Sequence, residues 1–123
     1  MHTHEGDRQL LQVLRQIGVD FTKVREINFY FIVPSQEAAG QAQGILQQKN
    51  IPSTVSELDV PWWKKLFAKP QFSLCATMHM ALDESRIMQA TTLFQQIATR
   101  VNGNYDGWEA NVMGENLKME NFG

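Results

Sequence analysis

The chain has one cysteine, Cys75, four prolines, and no marked excess of charge of either sign, and these scarcities remove whole classes of protein. A single thiol excludes an internal disulfide, a cysteine-rich zinc knuckle and a cysteine-ligated iron–sulfur cluster within one chain. No apolar run reaches the ~18 residues that a bilayer crossing demands. Met1-His2-Thr3-His4-Glu5 has neither the cationic start nor the apolar middle of a secretion signal, so a cytoplasmic location is expected. Eleven basic against thirteen acidic residues give a net charge of −2, too balanced to indicate nucleic acid or a strongly acidic mimic. A glycine-rich phosphate loop, a helix-borne histidine pair and a serine elbow are also missing. Cys75 and His79 lie on one side of a strand, but four residues at ~3.3 Å each set their α-carbons ~13 Å apart, too far for a thiolate–imidazole dyad. They read instead as a small buried thiol and a surface or partner-facing imidazole. His2 and His4 fall on a terminus expected to be mobile. No cofactor, metal or catalytic residue is expected.

What is present is one domain's worth of ordinary globular sequence: 123 residues, 43% hydrophobic and 20% charged. A chain of that length removes roughly two-thirds of its unfolded surface from water. Asp7 reads as a helix N-cap, followed by Leu10, Leu11, Val13, Leu14 and Ile17 at helical spacing until Gly18. Glu26 to Val33 is dense in aromatic and β-branched residues and reads as a central strand. Ser35 caps a helix with small residues at Ala38, Ala39 and Ala42. Ser53 to Asp59 is a polar edge strand, and Phe72 to Met80 alternates with period two. Asp83 caps a long helix with a stripe at Ile87, Ala90, Thr91, Phe94, Ile97, Ala98 and Val101, closed by Asn102-Gly103. Trp108, Ala110 and Val112 alternate in a last strand. The boundaries follow: a mobile stretch 1–6, a single domain 7–113 and a loose tail 114–123.

The order, a helix and then β-α-β-β-α-β, predicts an α+β ferredoxin-like sandwich. This is a four-stranded antiparallel sheet in order 4-1-3-2 with both crossover helices on one face. The leading helix is extra, and its apolar stripe needs cover on the open sheet face or in a second copy of the chain, a homodimer. The open face is expected to show Asn28, Tyr30 and Ile32 beside Ser73, Cys75, Thr77 and His79. RNA recognition motifs share this topology, but here only Tyr30 is placed to stack a base, and the third strand lacks their basic and aromatic signature.

The oddest composition is Pro61-Trp62-Trp63-Lys64-Lys65-Leu66-Phe67-Ala68-Lys69-Pro70. One or two helical turns would group Trp63, Leu66 and Phe67 and leave Lys64, Lys65 and Lys69 outside. Three uses are open: a protein-binding anchor, a wedge on a membrane surface, or an end cap on the core with both tryptophans folded inward. Asp106-Gly107 suits a turn or bulge needing positive φ, which would swing Tyr105 and Trp108 to chosen faces.

Asn104-Tyr105-Asp106-Gly107-Trp108-Glu109-Ala110 after a long helix, Phe29-Tyr30-Phe31 before an alanine-rich helix, and Leu74-Cys75-Ala76-Thr77 together resemble the regulator of ribonuclease E activity B family. The resemblance runs from about Arg8 to Met113, with Tyr-Asp-Gly-Trp as its one sharp motif. It implies a small cytoplasmic bacterial protein, not an enzyme, that binds ribonuclease E and restrains RNA turnover. The family's namesake is strongly acidic, whereas this chain is nearly neutral and its tail from Gly114 carries two acids and one base. Attraction to a cationic partner is correspondingly weakened. The expected function is therefore a regulatory protein-interaction domain whose partner is a protein, ribonuclease E above all, with no direct contact to nucleic acid. Its candidate partner-binding residues are Trp62, Trp63, Lys64, Lys65 and Phe67, with Tyr30 and His79 behind them; Tyr105, Asp106, Gly107 and Trp108 are structural. The alternative is a small-ligand or single-stranded nucleic-acid module that uses the open sheet face.

Overall fold

The structure, a computed structural model, describes residues 5–66 and 69–112. Its elements are α1 (Glu5–Gln16), β1 (Arg25–Val33), α2 (Gln36–Gln48), β2 (Ser53–Glu57), α3 (Trp62–Lys65), β3 (Phe72–Met80), α4 (Glu84–Arg100) and β4 (Asn104–Ala110). The tail expected to be loose, the two N-terminal histidines and Phe67 lie outside the described residues. Glu5 and Gly6, assigned above to a mobile stretch, are already helical.

The four strands form one antiparallel sheet in order β2-β3-β1-β4, which is 4-1-3-2 read from the β4 edge. Alternation along β1 decides its two faces. Ile27, Phe29, Phe31 and Val33 are fully buried, while Asn28, Tyr30 and Ile32 are half-buried on the opposite side. Leu74 and Ala76 of β3 continue the buried face. Phe94 of α4 rests on it, with its ring centroid 4.6 Å from Phe29 and 6.4 Å from Phe31. Ala38, Ala39 and Ala42 bring α2 close to the sheet, and burying each large core side chain is worth about 1.5–3 kcal/mol.

Both predicted caps form: Ser35 Oγ accepts from the Ala38 N–H at 3.0 Å, and Asp83 Oδ2 from the Arg86 N–H at 3.0 Å. The C-terminal ends of α1, α2 and α4 reverse through Gly18, Asn50 and Asn102, at φ of 91°, 60° and 61°. In each, the next residue's N–H returns to a carbonyl five residues back, as in Gly103 N to Ala98 O at 2.7 Å. Asn102, not Gly103, therefore holds the left-handed position. Gly103 answers a different need, because a Cβ there would lie 2.5 Å from the Ile32 carbonyl oxygen.

Two expectations about α1 are corrected. Asp7 is not its N-cap, since the helix begins at Glu5; Asp7 is 7% exposed and its Oδ1 accepts from Trp108 Nε1 at 2.8 Å. A buried indole N–H requires an acceptor, and that requirement outweighs the capping preference of an aspartate. The apolar stripe of α1 does not lie on the open sheet face. Leu11, Leu14 and Ile17 are buried in this chain's own core, where α1 packs against α4.

Candidate functional site

Pro61 supplies the fixed φ of a helix start, and α3 is a single turn, too short to carry a buried face of its own. Its described side chains remain outside. Trp62 is 75% exposed, Trp63 52% and Leu66 68%. The end-cap reading of these tryptophans is thereby overturned: the core closes without them. The Lys64 ammonium stands 5.5 Å from the Trp63 ring centroid, a cation–π contact that holds a charge beside the aromatic surface. The segment is pinched at its base, where the Leu58 N–H donates to the Gln71 carbonyl at 2.8 Å. Beside α3 a hollow of about 600 Å³ is walled by Pro34, Leu58, Val60 and Pro70, with Lys64, Lys69, Glu57 and Gln71 at its polar positions. The side chains of Lys65 and Phe67 are not among those described.

The second predicted locus, the open sheet face, is polar. Tyr30 lies between Cys75 on β3 and Gly107 on β4, and Cys75 in turn faces Thr54 on β2. Cys75 is half-exposed rather than buried, because its rung belongs to the face away from α4. The Tyr30 hydroxyl donates to Glu109 Oε1, and that bond, with partial burial and the neighbouring thiol, raises the phenol far above its ordinary 10.0. Thr77 Oγ1 donates to Asn28 Oδ1 at 2.7 Å. His79 is exposed beside Glu26 at the far end of the same face, away from Tyr30. The described residues of this face include Glu26 and Glu109 but no lysine or arginine. A phosphate backbone would find no cation there. The structure thus does not bring Tyr30 and His79 into one site with Trp62 and Trp63.

A further groove of about 670 Å³ runs between α2 and α4, with Ile45 and Leu93 in its floor and Lys49 and Arg100 at its rim. Ile45 and Leu93 are half-buried and Ile97 is buried, so the groove offers less uncovered apolar surface than α3. Among the described residues no group of three or more histidine, cysteine or carboxylate side chains is placed to hold a metal ion, and no helix is long and apolar enough to cross a membrane.

Comparison with known proteins gives one decisive result: the model of the family "Regulator of ribonuclease activity B" matches residues 4–110. The chain belongs to that family. No curated protein matches it. Among solved structures it is similar to a dinuclear metal-binding peptidase of the M20 family from Bacillus subtilis, at 17% identity and a TM-score of 0.38. The match covers 71% of this chain and 25% of that one, so the chain spans about a quarter of the peptidase's length.

In this regulator B member the Tyr-Asp-Gly-Trp motif forms an irregularity in the pairing of β4. The pairing of β4 with β1 shifts between Tyr30 and Phe31, so that Tyr105 opposes Phe31, Gly107 opposes Tyr30 and Trp108 opposes Phe29. One extra residue thus turns both aromatics to the helix side, which unbroken alternation would forbid for positions three apart. Gly107, at φ 113°, supplies the backbone that the bulge requires. Burial raises the Tyr105 phenol well above its usual value; Asp7 and Asp106 push the same way, and the adjoining Thr91 hydroxyl opposes them. Asp7 is the residue that reading the sequence missed. Its partner is 101 positions away, and no local spacing signals the pair.

Proposed function

We propose that this regulator B chain is a non-catalytic interaction domain that restrains a ribonuclease, ribonuclease E first, by docking through α3. The platform is read as a ferredoxin-like sandwich with an added helix, a single domain over 7–113, acting in the cytoplasm. The observation that carries the reading is the exposure of Trp62, Trp63 and Leu66 on one turn outside a core that is complete without them. Large aromatics desolvated by a partner dominate binding energy, and a domain gains nothing in its own stability by leaving them in water. Family membership supports the ribonuclease as partner. The test is cleavage of a model transcript by purified ribonuclease E with and without this protein. Inhibition is expected, and it is expected to fail with the Trp62→Ala/Trp63→Ala variant. Unchanged cleavage with the wild-type chain would remove the proposal.

A further inference from the structure

We infer that the partner segment taken by α3 is an acidic peptide that places an aliphatic or aromatic side chain in the hollow beside Trp63. This rests on the docking reading above and adds the chemistry of the occupant. Charge is distributed unevenly along the chain. Residues 61–70 hold three of the eleven basic residues and none of the thirteen acidic ones, which leaves eight bases against thirteen acids elsewhere. The aromatic turn is therefore locally basic, and the hollow beside it carries two lysines, Lys64 and Lys69, against one carboxylate, Glu57. Two of its lysines are placed for recognition: Lys64 lies over Trp63, and Lys64 and Lys69 both line the hollow. The walls of that hollow, Pro34, Leu58, Val60 and Pro70, are apolar.

A protruding apolar side chain fills such a concavity, and carboxylates on either side of it meet the two ammonium groups. The geometry favours this occupant over two other anionic surfaces. A bilayer is flat and leaves the hollow empty, while the acidic remainder of the chain is repelled by anionic lipid. Single-stranded RNA needs a track of cations along its backbone, and the described residues provide an island instead.

The experiment is fluorescence anisotropy with the full chain and labelled peptides of alternating Asp and Gly around a central Leu. Controls are a Lys-for-Asp twin, a twin with Ser in place of Leu, a uridine-rich RNA oligonucleotide and phosphatidylserine vesicles. Saturable binding of the acidic Leu peptide is expected, with at least about tenfold weaker binding to the twins and to the Lys64→Glu/Lys69→Glu variant, a loss of ~1.4 kcal/mol. Trp62→Ala/Trp63→Ala is expected to abolish it. Equal binding of the basic twin, or binding of RNA or vesicles without the acidic peptide, overturns the inference. If ribonuclease inhibition depends on the two tryptophans but no acidic peptide binds, the docking reading stands and this one falls. If inhibition is absent while the peptide binds, the reverse holds.

Discussion

Trp108 Nε1 donates to Asp7 Oδ1 at 2.8 Å, joining the first turns of α1 to the last strand. The contact exists because the bulge at Asp106-Gly107 turns the indole under the helices, where its N–H is buried. It also explains how a helix outside the β-α-β-β-α-β order becomes part of the core. The carboxylate fixes one end of α1 while Leu11, Leu14 and Ile17 bury its stripe.

Replacing Asp7 with alanine strands the Trp108 N–H in a buried site, which costs about 1–3 kcal/mol. The expected result is a fall of several degrees in Tm. Trp108→Phe in the same background is expected to cost less than it does in the wild type, since the donor is removed along with the acceptor. Additive losses in that double-mutant cycle would show that the two side chains are not coupled.

Three positions around β4 separate conformational from steric causes. Gly107→Ala meets nothing within 4 Å, so its cost is the positive φ alone, about 1–2 kcal/mol. Gly103→Ala drives a methyl to 2.5 Å from the Ile32 carbonyl and is expected to be the more damaging of the two. Asn102→Gly, at φ 61°, relieves strain and is expected to leave Tm unchanged or raised. Chemical denaturation of the three variants checks the order.

β3 was legible in the sequence because Leu74 and Ala76 are buried while Cys75 and Thr77 face the other side, which writes a period-two alternation into the residues, and β1 was legible from its density of aromatic and β-branched side chains. The positive φ at Asp106-Gly107 was legible because few dipeptides tolerate that backbone, although the residues alone left a turn and a bulge both open. Asp7 was not, because an aspartate at a helix start satisfies a cap as readily as a distant indole. Nor was the placement of Trp62 and Trp63. Composition states that a segment is hydrophobic, and only the assembled core shows whether there is room left for it.

For that reason the stability of the α3 variants is itself informative. Trp62 and Trp63 touch solvent over most of their surface, so Trp62→Ala/Trp63→Ala is expected to shift unfolding free energy by no more than about 0.5 kcal/mol. Loss of cooperative melting would mean that the tryptophans support the core and are not a free docking surface. Calorimetry on the double variant decides it.

Both tyrosines of the chain, Tyr30 and Tyr105, are held protonated above their ordinary 10.0, the first by its bond to Glu109 and the second by burial. Spectrophotometric titration of the native protein is therefore expected to show little tyrosinate at pH 10, where the denatured chain is half ionised. The sign of the linkage follows. The unfolded state releases these protons first, so the stabilisation they bring is complete below pH 10 and declines as pH rises above it towards the native values. Tyr105→Phe removes a buried hydroxyl that lacks a partner of good hydrogen-bond geometry, so at pH 7 it is expected to be neutral or stabilising, and it should flatten the alkaline decline. Half-ionisation of the native tyrosines near pH 10 would show that neither phenol is held as the structure places it.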